Sequence, residues 1–156
     1  MRDSKLLSPP KRELLFDCIQ KVALGIGTGI VSHEMIDKDG IIKATRLAMK
    51  LAIEQISPLP DAVLIDYMNL PEVHLPQKGV TNGDSLCFSI ACASIVAKVT
   101  RDHLMIDFDK TYPGYGLAQH KGYGTREHLS CLYRIGLSPI HRRSFQPITH
   151  IIQREK

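Results

Sequence analysis

The stretch GDSLCFSIACASIVAKVTRD, Gly83 to Asp102, decides the fold class, because a carboxylate placed directly after glycine opens a long run of small and apolar residues at helical spacing. Residues 88 to 110 read as one long helix. Its Ala91, Ala93, Ser94 and Ala97 are small enough to admit a neighbouring backbone, which predicts a central position in the fold. Just upstream, Ala62-Val63-Leu64-Ile65 is a continuous apolar run ended by Asp66, the pattern of a strand buried on both faces. In an open α/β sheet, ligands bind beyond the carboxyl ends of the strands, so Asp66 is a site candidate by position. A strand-end aspartate that caps a turn is the structural alternative.

Further upstream, Ser8-Pro9-Pro10 reads as a helix start, with the serine as cap and proline in the first turn. Leu14, Leu15, Cys18 and Val22 then mark one apolar face. From Val22 to Val31 the period changes to two, which predicts a strand whose second face carries Gly25, Gly27 and Gly29. Such a glycine face calls for close approach of another backbone, and a packed helix is the favoured neighbour over a nucleic-acid backbone. A second helix is expected from about Ile41 to Ile56, ended by Ser57-Pro58-Leu59-Pro60-Asp61. Downstream, Pro113-Gly114-Tyr115-Gly116 breaks the chain into an irregular segment, and Thr125 caps a last helix of about Arg126 to Ile135, closed by Gly136. Pro139 and Pro147 bracket a basic loop.

The 156 residues fit one domain, 1–156, with no repeat, linker or low-complexity tract to suggest a second. A hydrophobic share of 44% and a charged share of 23% argue against a disordered chain. No apolar stretch approaches the roughly 18 residues of a membrane span, and the first 15 residues lack the apolar region of a signal peptide, so a cytoplasmic location is expected. Cys18, Cys87, Cys92 and Cys131 lack metal-type spacing and are expected as core thiols. The net charge of +4 only mildly favours a polyanionic partner, but from Lys110 onward eight Lys or Arg stand against two Glu. The basic face therefore belongs to the C-terminal third, where HKGYGT at His120 to Thr125 and HRRSF at His141 to Phe145 are glycine-hinged or basic, as a phosphate-contacting surface requires. His120, His128 and His141 lack zinc spacing, so proximity to phosphate is the expectation for them. Asp102, Asp107 and Asp109 are expected on the helix surface or in salt bridges, and Tyr112 and Tyr115 as packing residues.

Taken in order, DSKLLSP at Asp3 to Pro9, ATRLAM at Ala44 to Met49, the strand ending in Asp66, and the three blocks already quoted resemble type-2 ribonuclease H, ribonuclease HII, over nearly the whole chain. The resemblance implies a ribonuclease-H-like α/β fold, a mixed sheet flanked by helices. It implies hydrolysis of the RNA strand of RNA–DNA hybrids, cleavage at ribonucleotides embedded in duplex DNA, and a two-metal requirement for Mg²⁺ or Mn²⁺; no membrane is expected, and no protein partner is implied. Residue by residue, Asp66 matches the family's third acid and Asp84 the fourth, both as metal-binding catalytic residues. Tyr123 matches the tyrosine stacked on the sugar after the ribonucleotide, while Ser4, Lys5 and Lys121, and more weakly Thr45, match positions near substrate phosphates.

Two cations held close together repel unless several anionic oxygens bridge them, so two aspartates are too few for that chemistry. The family supplies its first two acids in the motif Asp-Glu-Ala-Gly-Arg-Gly on an opening strand, and that motif does not occur in this sequence. The expectation is a chain lacking the opening strand or strands, whose remaining strands expose unpaired edges. The alternative function is a catalytically inactive nucleic-acid-binding relic. Smaller departures from the family pattern are Asn82 where lysine is usual, Tyr67 where glycine is usual and Gly40 where asparagine is usual.

Overall fold

The computed structural model describes residues 6–154, so Ser4 and Lys5 lie outside the described residues. Helix α1 (Pro9–Val22) begins on its prolines as expected, but Ser8 makes no side-chain capping bond. Its buried face is also rotated from the expected one. Arg12 and Ile19 are buried, with Leu15 and Phe16 packed inward, whereas Leu14, Cys18 and Val22 are exposed. Phe16, Leu15 and Ile19 remove more apolar area from water than Cys18 and Val22 would. The Arg12 stem is buried while its guanidinium donates to the Leu7 carbonyl.

The strand expected over Val22 to Val31 does not form. Val22 is the last residue of α1, and among the described residues no backbone–backbone hydrogen bond joins residues 24–31 to another segment. The side chain of Gln55 supplies what a neighbouring strand would, accepting from Thr28 N at 3.2 Å and donating to Thr28 O at 3.1 Å. The glycine face does meet a helix. A Cβ on Gly27 would stand 1.9 Å from the Ala52 carbonyl oxygen, and one on Gly29 would stand 1.8 Å from that of Ala48, both on α3 (Ile41–Glu54). Between them lies α2 (His33–Asp39), which the sequence reading did not anticipate, capped by the Ser32 hydroxyl accepting from Met35 N.

Strand β1 (Val63–Asp66) pairs in parallel with β2 (Gln77–Val80), from Val63 opposite Gln77 to Asp66 opposite Val80. The described sheet is this parallel pair, in a helix-rich α/β chain of the class expected. Nor is β1 buried on both faces: Ile65 is buried, but Leu64 is 47% exposed, because only the Ile65 face is covered. The Gln77 amide fastens the connection before β2, bonding to both backbone groups of Leu70 and to the Val73 carbonyl. After β2 come α4 (Gly83–Leu86), the long α5 (Phe88–Thr111), α6 (Leu117–His120), α7 (Arg126–Ile135) and α8 (Ile148–Arg154). Thr125 caps α7 by accepting from His128 N, and Gly136 ends it at φ 77°, as expected.

The chain divides into two compact units. One comprises residues up to Ile30 with Thr45–Thr100, and the other Val31–Ala44 with residues from Arg101 onward. The first is built on Ile19, Ile95, Val96 and Val99, with Leu15, Phe16 and Cys92 against them. Burial there raises the Cys92 thiol pKa, while Cys87 and Cys131 are half-buried and Cys18 is exposed, so the core-thiol expectation fails at Cys18. Along α5 the buried residues are Ile90, Ala91, Ile95, Val96, Val99 and Asp102, whereas Ala93 and Ala97 are exposed. The second unit is built on Tyr115, Leu117, Leu132, Ile148 and Ile151, with Met105, Phe108 and Tyr112 packed against them, so both tyrosines are packing residues.

Asp107 pairs with Lys110 at 2.7 Å on the surface, as expected. Asp102 is buried and so off the surface, and Asp109 Oδ1 is shut off from solvent without a hydrogen-bond partner among the described residues, against expectation, because a spacing of seven returns to the same helix face. Among the described residues no helix is long and apolar enough to cross a membrane.

Candidate active site

In the first unit, Asp66 ends β1 and its Oδ1 accepts from the backbone N–H of Gly83 at 2.8 Å. Gly83 is buried, and a Cβ there would meet Ile90 Cδ1 at 2.6 Å and Asp66 Oδ1 at 3.4 Å, so glycine is what lets the two segments meet. Asn82 turns the chain into α4 from the left-handed region at φ 55°, which asparagine tolerates better than most residues. Asp84, next to the glycine that holds Asp66, lies in the first turn of α4 and accepts from the Ser85 hydroxyl at 3.4 Å. The backbone thus brings both expected acids to one end of β1. Ser85, Leu86, Cys87, Phe88 and Ala91 line a shallow pocket beside Asp84. The Ser89 hydroxyl at 3.3 Å from Cys87 Sγ lowers the pKa of that thiol.

The donor set at this pair is hard carboxylate oxygen, which suits Mg²⁺ or Mn²⁺ and not a thiolate-seeking ion. One hydrated cation fits two carboxylates when substrate phosphate completes its shell, whereas two adjacent cations need more anionic oxygen. Among the described residues no group of three or more His, Cys, Asp or Glu could hold a metal ion. Thr45 sits within α3 and is half-buried in the same unit.

In the second unit, the HKGYGT block begins at His120, the last residue of α6. Lys121 adopts φ 52°, and its ammonium donates to the Ala118 carbonyl at 2.7 Å. Tyr123 is 56% exposed, and the Arg101 guanidinium lies 5.0 Å from its ring centroid. Arg101 was not anticipated as a neighbour of that ring, since 22 positions separate the two. His128 and His141 are not free to meet phosphate: they are 5% and 7% exposed, with Nε2 to Nε2 at 3.1 Å, and His120 stacks on His128 at 4.2 Å. Burial lowers the pKa of both buried imidazoles.

The basic HRRSF block is anchored by Asp37 of α2, whose carboxylate accepts from Arg143 N at 2.8 Å, from Ser144 N at 2.9 Å and from the Ser144 hydroxyl. Partial burial pushes the Asp37 pKa up, but these bonds outweigh it and hold it below the ordinary carboxylate value. The Arg142 guanidinium lies over the Phe145 ring at 5.1 Å. Burial, followed by the charge of Arg101, lowers its pKa.

Comparison with known proteins identifies the family of the chain. A curated ribonuclease HII of Dehalococcoides mccartyi (strain BAV1) is 57% identical over 152 residues, 97% of this chain and 72% of the relative. A ribonuclease HII of Desulfitobacterium hafniense (strain Y51) is 53% identical over 148 residues, 95% of this chain and 57% of the relative. The fold is similar to the crystal structure of the ribonuclease H2 from Pyrococcus horikoshii, with a TM-score of 0.78 and 21% identity over 97% of this chain and 80% of that one. The family model described as Ribonuclease HII matches residues 1–148, and with that match the chain belongs to the ribonuclease HII family, the type 2 ribonucleases H.

Proposed function

We propose that the chain cuts the RNA strand of RNA–DNA hybrids and cleaves at ribonucleotides embedded in duplex DNA, with Asp66 and Asp84 holding a divalent cation, Mg²⁺ or Mn²⁺. The observation that carries this reading is the bond from Gly83 N–H to Asp66 Oδ1, which brings the Asp84 segment against the end of β1. When bound, the cation supplies positive charge at the reacting phosphoryl group and activates water. Gly83 fixes the orientation of the Asp66 carboxylate, and the short α4 presents Asp84 beside it. Tyr123 stacks its exposed ring on the sugar of the substrate duplex. Lys121 reaches a phosphate by exchanging its bond to the Ala118 carbonyl, and the further phosphate contacts that the family resemblance implies are Thr45 and, outside the described residues, Ser4 and Lys5.

The test is cleavage of a DNA duplex carrying one ribonucleotide, with Mg²⁺ or Mn²⁺ titrated. Asp66→Asn and Asp84→Asn are each expected to lower the rate at least a hundredfold while leaving the melting temperature within a few degrees. Unaffected cleavage by either variant rejects the site assignment. Salt-sensitive duplex binding by the unsubstituted chain with no metal-stimulated hydrolysis makes it the binding relic instead.

A further inference from the structure

The second unit holds three imidazoles whose shortest hydrogen bonds favour one arrangement of protons. The backbone N–H of Ser138 is an obligate donor and points at His141 Nδ1 at 3.0 Å, with the Ser138 hydroxyl on the same nitrogen at 2.7 Å. His141 Nδ1 therefore accepts, and the ring proton stands on Nε2. That proton faces His128 Nε2 at 3.1 Å, which must accept it, so His128 carries its own proton on Nδ1. Nδ1 lies 2.9 Å from the carbonyl oxygen of Tyr123, an obligate acceptor. The stacked third ring follows the same logic, with His120 Nδ1 accepting from Gly122 N at 3.2 Å and Nε2 donating to Tyr115 O at 2.7 Å. The shorter bonds thus run in one direction from Ser138 through His141 and His128 to Tyr123, and the Ser138 carbonyl, 3.3 Å from His141 Nδ1, is a competing acceptor on that path.

We propose that His128, held in this tautomer by His141, is a positioning residue for Tyr123, fixing the backbone carbonyl from which the substrate-stacking ring projects. This rests on the reading of Tyr123 given above. The relay breaks with a single added proton. On His141 it would turn Nδ1 from the Ser138 N–H at 3.0 Å toward the Ser138 carbonyl at 3.3 Å, and on His128 it would set an Nε2–H against that of His141. The titratable groups that bear on the pair are His120, stacked on His128, and His33 of α2, both of which oppose an added proton, while the ring packed on His141 is that of Tyr115 at 5.3 Å. The substrate grip should consequently hold at neutral pH and loosen in acid.

The experiment measures affinity for a fluorescent DNA duplex containing one ribonucleotide, by anisotropy in metal-free buffer, for His128→Ala, His128→Asn, Tyr123→Ala and the two double variants. Tyr123→Ala alone tests the reading beneath: a loss of about tenfold is expected from one stacking contact, and no loss rejects the role of Tyr123 whatever His128 does. With that loss in hand, His128→Ala is expected to weaken binding about fivefold, the worth of one hydrogen bond, and to add nothing in the Tyr123→Ala background. His128→Asn, whose amide can still reach the Tyr123 carbonyl, should recover most of the loss. An equal loss from His128→Ala in both backgrounds overturns the proposal. Nitrogen-15 NMR of the unsubstituted protein needs no variant. His128 protonated on Nδ1 with His120 and His141 protonated on Nε2 at neutral pH supports the relay, and any other tautomer, or an imidazolium among the three, overturns it.

Discussion

Tyr67 sits at φ 66°, one residue beyond the strand-end aspartate, with its N–H donating to Val80 O at 3.0 Å and its ring largely exposed. A residue with a Cβ spends about 1–2 kcal/mol in that region of the backbone map, of which glycine returns part as unfolded-state entropy. Tyr67→Gly is therefore expected to stabilise the chain by up to about 1 kcal/mol, a rise of roughly 2–4 °C in melting temperature. A thermal melt checks this, and a fall would mean that the ring packs more than its exposure suggests. The sequence departure at this position, tyrosine where the family pattern has glycine, thus has a conformational reading. The places of Asp66 at a strand end and of Asp84 after a glycine were legible in the same way, because both are local patterns. Arg101 and Asp37 were not, since what defines them is a ring 22 positions away and a loop 106 positions away.

At the scale of elements, the extended segment after α1 lies so close to α3 that two of its glycines admit no side chain. Gly29→Ala would drive a methyl group to 1.8 Å from the Ala48 carbonyl, and the cost should exceed about 3 kcal/mol because both partners are backbone. Gly124→Ala, whose Cβ meets nothing within 4 Å, is the control and should change stability by less than about 1 kcal/mol. Denaturant unfolding of the two variants side by side measures the difference. The same segment shows how far periodicity carries. Alternation at residues 22 to 31 correctly reported two faces, one of glycine against a helix, yet it could not report pairing, since a strand exists only with a partner. β2, with the sequence QKGV, offers no apolar alternation at all and becomes a strand only through its ladder with β1. α2 was missed because seven residues with one buried side chain give little helical pattern to read.

For the molecule as a whole, the titrating groups set the direction of its acid response. His128 and His141 are both held below the ordinary imidazole pKa of about 6.5, chiefly by burial. The unfolded chain then binds more protons than the folded one as pH falls, so their contribution is complete above about pH 6.5 and is lost as pH falls toward the lowered values. The lowered Asp37 adds a second loss in the same direction, starting from the ordinary carboxylate range. Urea midpoints should accordingly be flat from about pH 7 to 8 and decline in acid before the carboxylates titrate, and a midpoint that rises below about pH 6.5 would contradict the neutral pair. The α/β class was readable from sequence, and so was the position of Asp66 at a strand end, because such patterns are local. The division into two units was not, since each unit is assembled from separated stretches of chain. That assembly imposes an order in time. Asp37 is joined to Arg143 and Ser144, so on a ribosome adding about 5–20 residues per second, α2 waits on the order of 5 to 20 s for its anchor to be made. The second unit is in this sense a clasp that only the last part of the chain can close, and its N-terminal half must stay soluble and unpaired while the polymer between is still being spun.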